Sequence, residues 1–211
     1  MREKPKIFGI RLLQFVFHPL IVVYYAAIIV IEYNVFPFIF VSQSLKELLI
    51  LYFLTMTFAI PMFFIIALNR KNRIKTYSNF STHDLNIVLI IATLSYVITY
   101  YMLSEINTPA IIRIIPMLAM TNIASIGIIN LKIKVDIYTL ALSGLCTYFV
   151  FVASAYKSNL LTAITTTLLA LGIVNYTFIE EGISNLKSSL VSCVAGIAIT
   201  GISIFFYSMT K

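Results

Sequence analysis

Charged side chains are scarce in this chain: Asp, Glu, Lys and Arg together make up 11% of its 211 residues, whereas 60% of the residues are hydrophobic. The mean hydropathy of +0.98 lies far above the range of soluble globular domains. This shortage of charge predicts an integral membrane protein. No polar stretch is long enough to form a separate soluble domain, so we expect residues 1–211 to form a single integral membrane domain. No nucleic-acid partner is expected for such a chain.

Histidine and cysteine are equally rare, with two residues of each. Cys146 and Cys193 lie inside apolar runs without a neighbouring His or Cys, which is typical of small packing residues. His18 and His83 are far apart in the sequence and belong to no recognisable ligand pair. These absences predict neither a metal site nor another cofactor.

Seven apolar segments reach about the twenty residues that a helix needs to cross the hydrocarbon core of a bilayer. The predicted spans are residues 12–31, 48–68, 85–104, 110–130, 136–156, 159–179 and 188–208. The predicted fold class is therefore all-α, a polytopic bundle of about seven transmembrane helices with short loops. The first apolar run is too long for a signal peptide and lacks a small-residue cleavage site, so we expect a retained first span.

Basic residues are divided unevenly between the two faces that seven crossings define. The N-terminus and the loops 69–84, 131–135 and 180–187 share one face, which carries eleven of the fifteen Lys and Arg residues. Because basic loops stay preferentially on the cytoplasmic side, this face is predicted to be cytoplasmic and the C-terminus to lie outside.

The most basic of these loops, residues 69–84, reads "NRKNRIKTYSNFSTHD". Cations beside a membrane set its orientation and attract anionic lipid headgroups. Membrane lipids with such headgroups are therefore the expected partners. The residues predicted to bind phosphate or lipid are Arg70, Arg73, Lys75, His83 and Lys134.

Several stretches carry a resemblance to a known family. The first span contains "FVFHPLIVVYY", a later span runs into the basic loop as "IPMFFIIALNRKNRIKTY", and residues 129–138 read "INLKIKVDIY". The last pair of spans brackets "ALGIVNYTFIEEGISNLKSSLVSCVAG". In these features the chain resembles a divergent bacterial branch of the type-2 phosphatidic acid phosphatase superfamily, which are integral membrane lipid-phosphate phosphatases. The resemblance implies a six-helix phosphatase-like core plus one helix, in the inner (cytoplasmic) membrane of a bacterium.

The catalytic residues of that superfamily are not matched. Its members use a nucleophilic histidine, an acidic partner, a second histidine as proton donor and basic residues that hold the phosphate. By resemblance, Arg73 and Lys134 keep basic positions, but Asp136 and Tyr138 stand where a serine and a histidine are expected. The third motif lacks both its arginine and its histidine. The resemblance therefore implies a degenerate member with no catalytic residue.

Carboxylates occupy the places from which these residues are missing. Glu180 and Glu181 lie in the region of the third motif and Asp136 in that of the second. They would repel a phosphate unless basic side chains neutralise them. We therefore expect the three carboxylates to form ion pairs between the loops. The candidate partners are Arg73, Lys134 and Lys187.

Structural roles are predicted for both histidines. His18 precedes Pro19 inside the first span and is expected to donate a hydrogen bond to a neighbouring helix. His83 belongs to "STHD", which is typical of the start of a helix, here the third span.

Polar side chains inside the spans need partners because hydrocarbon offers none. Asn122, Asn130, Asn175 and the run Thr165–Thr167 are expected to form hydrogen bonds between helices. No charged residue lies near the middle of a span, which argues against an ion-coupled transporter.

Small residues recur at four-residue spacing in the last span. Ser192, Gly196 and Thr200 form a face that lets another helix approach closely. That helix belongs either to this chain or to a membrane protein partner.

Two classes of function follow. The preferred hypothesis is a non-catalytic membrane protein, a subunit or an assembly or lipid-binding component of a bacterial envelope complex. The alternative is a lipid-phosphate phosphatase with a rearranged site, which needs His83 or Asp136 within reach of a phosphate held by Arg73 and Lys134. A small transporter has the least support, because the sequence shows no internal repeat and no pair of broken helices.

Overall fold

The computed structural model describes residues 4–33, 35, 41–70, 82–106, 108–130 and 135–209. Within these ranges the side chains of residues 4–8, 11, 68–70 and 82–86 are not described. All regular secondary structure in the described ranges is helical, so the predicted all-α fold class is confirmed.

The helices are numbered in chain order. They are α1 (Lys4–Val16), α2 (Pro19–Glu32), α3 (Gln43–Phe53), α4 (Ile60–Arg70), α5 (Thr82–Glu105), α6 (Ala110–Ile129), α7 (Ile137–Tyr156), α8 (Leu161–Glu180) and α9 (Leu186–Met209). A π-helical segment, Leu54–Ala59, joins α3 directly to α4.

Six helical segments of the described chain are long and apolar enough to cross a membrane, which supports a multi-pass membrane protein. They are Gln43–Ala67, Ile87–Glu105, Ala110–Ile129, Ile137–Tyr156, Leu161–Glu180 and Leu186–Met209. The predicted count of about seven is therefore wrong by one. The difference is α2, which is apolar but has only 14 residues. Such a helix rises about 21 Å, less than the hydrocarbon core of about 30 Å.

The first predicted span, residues 12–31, is divided at His18 and Pro19. Proline lacks an N–H and holds the residue before it in an extended conformation, so it favours the first position of a helix. His18 accordingly has a ψ of 133°, and its Nδ1 accepts a hydrogen bond from the N–H of Leu20 at 3.3 Å. One apolar run is thus two helices.

The π-helical segment has a similar cause. Pro61 follows it by two residues, and a proline ring clashes with the carbonyl four residues earlier in a regular helix. The wider π turn relieves this clash, and the N–H of Ile60 bonds to the carbonyl of Thr55, five residues earlier. Ser95 of α5 donates a hydrogen bond to the carbonyl of Met56, which fixes α5 against this point.

Helix α7 is the centre of the bundle. It packs most extensively against α9 and α8 and also contacts α2 and α6. Its residues Leu142, Tyr148 and Phe149 are buried in the largest hydrophobic cluster. Consecutive long helices joined by short loops are antiparallel, so the starts of α7 and α9 lie at one end, here named the Asp136 end. The starts of α6 and α8 lie at the other, here named the Arg113 end.

Candidate functional site

The residues predicted to bind phosphate or lipid headgroups are only partly placed. Arg70 ends α4 and His83 lies in the first turn of α5, but neither side chain is described. Arg73, Lys75 and Lys134 lie outside the described residues. The headgroup contacts of all five stay predictions. Because α5 begins at Thr82, the helix start predicted in "STHD" is confirmed.

Asp136 is a buried cap at the start of α7. Its Oδ1 accepts hydrogen bonds from the N–H groups of Tyr138 at 3.1 Å and Thr139 at 3.3 Å, donors that have no partner within the helix. Its own N–H donates to Oγ of Ser192 in α9 at 2.8 Å. The other carboxylate oxygen, Oδ2, is buried and has no hydrogen-bond partner in the described part of the chain. Asp136 therefore anchors two helices and keeps one acceptor unused.

Glu180 and Glu181 lie in a different environment. Both are exposed, at the end of α8 and in the turn that follows, where a carboxylate gains little from pairing. Of the basic partners expected for them, Arg73 and Lys134 lie outside the described residues. The predicted ion pairs between the loops stay predictions.

Hydrogen bonds hold the starts and ends of three helices together at the Asp136 end. Thr139 of α7 donates to the side-chain oxygen of Asn175 in α8. At the start of α9, the N–H of Ser188 bonds to Oδ1 of Asn185 at 2.7 Å. With the bond from Asp136 to Ser192, the bond from Thr139 to Asn175 joins the start of α7 to α8 and α9. The third predicted loop, residues 69–84, lies largely outside the described residues.

His18 lies at the same end. Its ring meets that of Tyr138 edge to face, with centroids 6.3 Å apart, and Tyr138 meets Phe178 of α8 in the same way at 5.1 Å. Burial lowers the pKa of His18 from 6.5 to about 4, because desolvation disfavours the charged imidazolium. His18 is thus neutral near pH 7, and its predicted structural role is confirmed as a helix cap. The hydrogen bond that it was expected to donate stays a prediction.

An apolar cavity of about 120 Å³ extends from His18 into the bundle between α2, α5, α6, α7 and α9. Along α7 its lining runs from Ile137 to Tyr148, about 17 Å at the helical rise. Its wall is mostly aliphatic. Lining residues that represent α2, α5, α6 and α7 are Val23, Ala92, Ala119, Ile123 and Ala141. The cavity therefore offers a hydrocarbon surface over about half the thickness of a bilayer core.

Asn122 is the amide in this wall. Its Nδ2 donates to the carbonyl of Leu118 at 2.8 Å and to Oγ1 of Thr200 in α9 at 3.1 Å. Its Oδ1 is buried and unpartnered among the described residues. The predicted bond between helices is confirmed for Asn122, as it is for Asn175.

Other polar residues in the spans found local partners instead. Asn130 accepts from the N–H of Val135 across the α6–α7 connection. The three threonines of the run each donate to a carbonyl of their own helix α8. For the three threonines, the prediction of bonds between helices is wrong, because a threonine hydroxyl reaches a carbonyl of the preceding turn. For Asn130, whose neighbours 131–134 lie outside the described residues, it stays a prediction.

The small-residue face on α9 is covered by α7 of the same chain. Ser192 and Thr200 are 0% and 1% exposed. A Cβ added to Gly196 would lie 2.5 Å from the carbonyl oxygen of Leu140 and would collide with Oγ of Ser143. Close helix approach through this face is confirmed, and its neighbour is α7. A membrane protein partner is not needed to cover it, and the partner predicted through this face stays a prediction.

Chemically, the described residues of the Asp136 end supply a carboxylate, a neutral imidazole and several hydroxyl groups above a hydrocarbon cavity. Oδ1 of Asp136 and Nδ1 of His18 already accept hydrogen bonds as helix caps. No three His, Cys, Asp or Glu side chains in the described ranges lie close enough together to hold a metal ion. The arrangement suits binding of an apolar chain better than acid–base chemistry.

The cavity was missed by sequence reasoning. Its walls are ordinary aliphatic residues on five helices, and only their packing leaves the space. Comparisons with protein-family models, with curated proteins and with solved structures each find no match to this chain.

Proposed function

We propose that this chain is a non-catalytic membrane protein that binds a lipid, with one acyl chain of the lipid in the cavity. The cavity is the observation that carries the proposal. It lies among the spanning helices, its wall is almost wholly aliphatic, and it begins beside polar groups at the Asp136 end. Burying hydrocarbon against such a wall is favourable only where the occupant is itself apolar.

The dimensions of the cavity favour one chain. A length of about 17 Å along α7 corresponds to roughly one leaflet of a bilayer core. A volume of about 120 Å³ is comparable to engineered cavities that bind one small apolar ligand. A space of this size holds only part of one acyl chain, so the rest of that chain and a second acyl chain would remain outside the cavity.

We propose a non-catalytic role because the polar side chains beside the cavity already serve as helix caps. Phosphate-ester hydrolysis is extremely slow without catalysis, so an enzyme needs a positioned nucleophile and a proton donor. His18 is neutral and caps α2, and Oδ1 of Asp136 caps α7. The resemblance to the lipid-phosphate phosphatases belongs to the same proposal: a fold that keeps lipid binding and has lost the reaction. A role as a subunit of a bacterial envelope complex is compatible with it.

Lipid retention by the purified full chain tests the proposal. We expect native mass spectrometry in a mild detergent to find bound lipid. Ala119→Phe, which fills the cavity from α6, should lower the number of bound lipids by about one per chain. Ala198→Phe, which adds the same side chain at an exposed position of α9, should not. A stoichiometric protein in place of the lipid would favour a complex subunit.

A second measurement keeps the test decisive if Ala119→Phe disturbs folding. The unmodified chain is crosslinked to a phospholipid with a photoactivatable group in its acyl chain. Crosslinks should fall on residues of the cavity wall, such as Val23, Ile123 and Ala141. Crosslinks confined to the exposed faces of α8 and α9 would contradict the proposal.

The second candidate function, a lipid-phosphate phosphatase, is favoured by the unused Oδ2 of Asp136. Assays with phosphatidic acid, phosphatidylglycerophosphate and undecaprenyl diphosphate should show no phosphate release above a detergent blank. Turnover that Asp136→Asn and Arg73→Ala both abolish would make the chain an enzyme.

A further inference from the structure

The Arg113 end carries a cluster that neither the cavity nor the basic loop explains. Arg113 lies in the first turn of α6. Tyr207 of α9 is within electrostatic range of Arg113, of Tyr100 in α5 and of Tyr156 in α7. These side chains come from four helices and lie toward the same end of the bundle.

The guanidinium lacks a counter-charge within the described part of the chain. Its Nε is buried and has no hydrogen-bond partner there. Leaving a charged donor buried and unpaired is costly, and the cost is larger than for a neutral group. An acceptor from outside the described residues would remove this cost.

The phenol groups around Arg113 extend the same donor surface. Tyr100 and Tyr156 are half-buried, and their hydroxyl groups can donate to an anion. Tyr148 is nearby in α7, but its hydroxyl already donates to the carbonyl of Ile111 at 2.7 Å. The donors that remain for a ligand are therefore those of Arg113, Tyr100 and Tyr156.

The depth of the cluster identifies the acceptor. Arg113 is the fourth residue of α6, Tyr156 is the last of α7, and Tyr207 is the third from the end of α9. At the helical rise these positions lie within about 6 Å of the helix ends, where spanning helices meet the headgroup layer. The anion that is abundant in that layer is the phosphate of phospholipids. Arginine binds phosphate through two parallel N–H groups, and the start of a helix adds a favourable dipole.

We propose that Arg113, together with the hydroxyl groups of Tyr100 and Tyr156, binds the phosphate group of a membrane phospholipid at this end of the bundle. Its polar donors are not part of the cavity wall, although Ile115 of that wall lies two residues from Arg113.

Binding of phosphatidylglycerol to the full chain in a phosphate-free, uncharged detergent tests this. Diacylglycerol with the same acyl chains should bind at least about tenfold more weakly, since it lacks the charged acceptor. Arg113→Gln should weaken phosphatidylglycerol binding by about tenfold or more. Arg113→Lys should recover only part of the loss, because lysine keeps the charge without the planar fork.

Lys157 provides the matched control. It is an exposed cation at the same end, in the left-handed conformation with φ 49°, which asparagine also tolerates. Lys157→Asn should leave the affinity unchanged. Equal binding by the parent chain and Arg113→Gln, or an equal loss in Lys157→Asn, would overturn the proposal.

Two further measurements test the role of the tyrosines and the identity of the ligand. Tyr156→Phe removes one hydroxyl with little change in volume, and it should weaken binding severalfold even if Arg113→Gln fails to fold. An unchanged affinity in Tyr156→Phe would remove the tyrosines from the site and overturn the proposal as stated. Inorganic phosphate is titrated separately. Binding as tight as that of phosphatidylglycerol would identify the free anion as the ligand and reject the lipid.

Discussion

Substitution of Gly196 by alanine tests the contact between α7 and α9 most directly. Gly196 lies where the two helices are closest, opposite Leu140, Ser143 and Gly144. A Cβ at this position would lie 2.5 Å from the carbonyl oxygen of Leu140 and 3.2 Å from the backbone nitrogen of Gly144. Because the first of these is a backbone atom, no rotamer change can relieve the overlap. The helices must separate by roughly 1 Å to restore ordinary van der Waals contact.

The expected loss of stability follows from two opposing effects. Extra volume in a packed core costs about 1–3 kcal/mol, and a clash with backbone belongs near the top of that range. Alanine in a helix interior is about 1 kcal/mol more favourable than glycine. The net destabilisation is therefore about 2 kcal/mol. Separation of the helices would also strain the bond from Asp136 to Ser192, which joins α7 and α9.

Two other glycines give a graded comparison. Gly201 is on the same helix, and an added Cβ there meets nothing within 4 Å. Gly201→Ala should therefore be neutral or stabilising by up to about 1 kcal/mol. A Cβ at Gly144 would lie 2.9 Å from Oγ1 of Thr200, a side-chain atom that can move but holds a bond from Asn122. Gly144→Ala should fall between the other two.

Unfolding in mixed micelles, titrated with a denaturing detergent and followed by helical circular dichroism, measures the series. The expected order of stability is Gly201→Ala, then Gly144→Ala, then Gly196→Ala. If Gly196→Ala is as stable as Gly201→Ala, the helices do not approach each other at this residue. The small-residue face would then lack its partner.

Two further predictions concern pH and topology. Burial lowers the pKa of His18 from 6.5 to about 4, so the unfolded chain binds more protons than the folded chain between these values. The free energy of unfolding should therefore be at its full value above about pH 6.5 and fall by roughly 3 kcal/mol as the pH drops through 4. His18→Asn keeps a capping acceptor without a titrating group, so an equally steep loss in this variant would contradict that origin. A reporter fused at Lys75 should indicate the cytoplasm and a reporter after Lys211 the opposite side, because five spanning helices, an odd number, lie between these positions. Two reporters that indicate the same side would contradict this count.

The helices could be predicted because their signals are local. Five of the seven predicted spans coincide with a single α-helix to within a few residues, since long apolar runs have few alternatives in a bilayer. The span 48–68 corresponds to α3 and α4 with the π-helical segment between them. The exception, 12–31, also had a local signal in Pro19, whose missing N–H ends one helix and begins another. The prediction of one span over 12–31 followed the apolar composition of this run and not the proline.

The site could be predicted only in part because it depends on distant residues. Asn122 and Asn175 were expected to bond between helices, since an amide at membrane depth needs a partner. Their actual partners, Thr200 and Thr139, are fixed by packing and have no signature in the sequence. The cavity is less predictable still, because a space is defined by what five helices leave unfilled.

The two proposed sites adjoin along α6, and this bears on the third functional class. Ile115 lines the cavity and lies two residues from Arg113, about 3 Å along the helix. Along α7 the lining ends at Tyr148, eight residues or about 12 Å before Tyr156. A transporter requires a polar path from face to face. Ile112, Phe149 and Val152, which lie near this end of the cavity, are apolar and each 0% exposed. These three positions therefore add no polar group between the cavity and the Arg113 end, and the proposed lipid-binding bundle needs none.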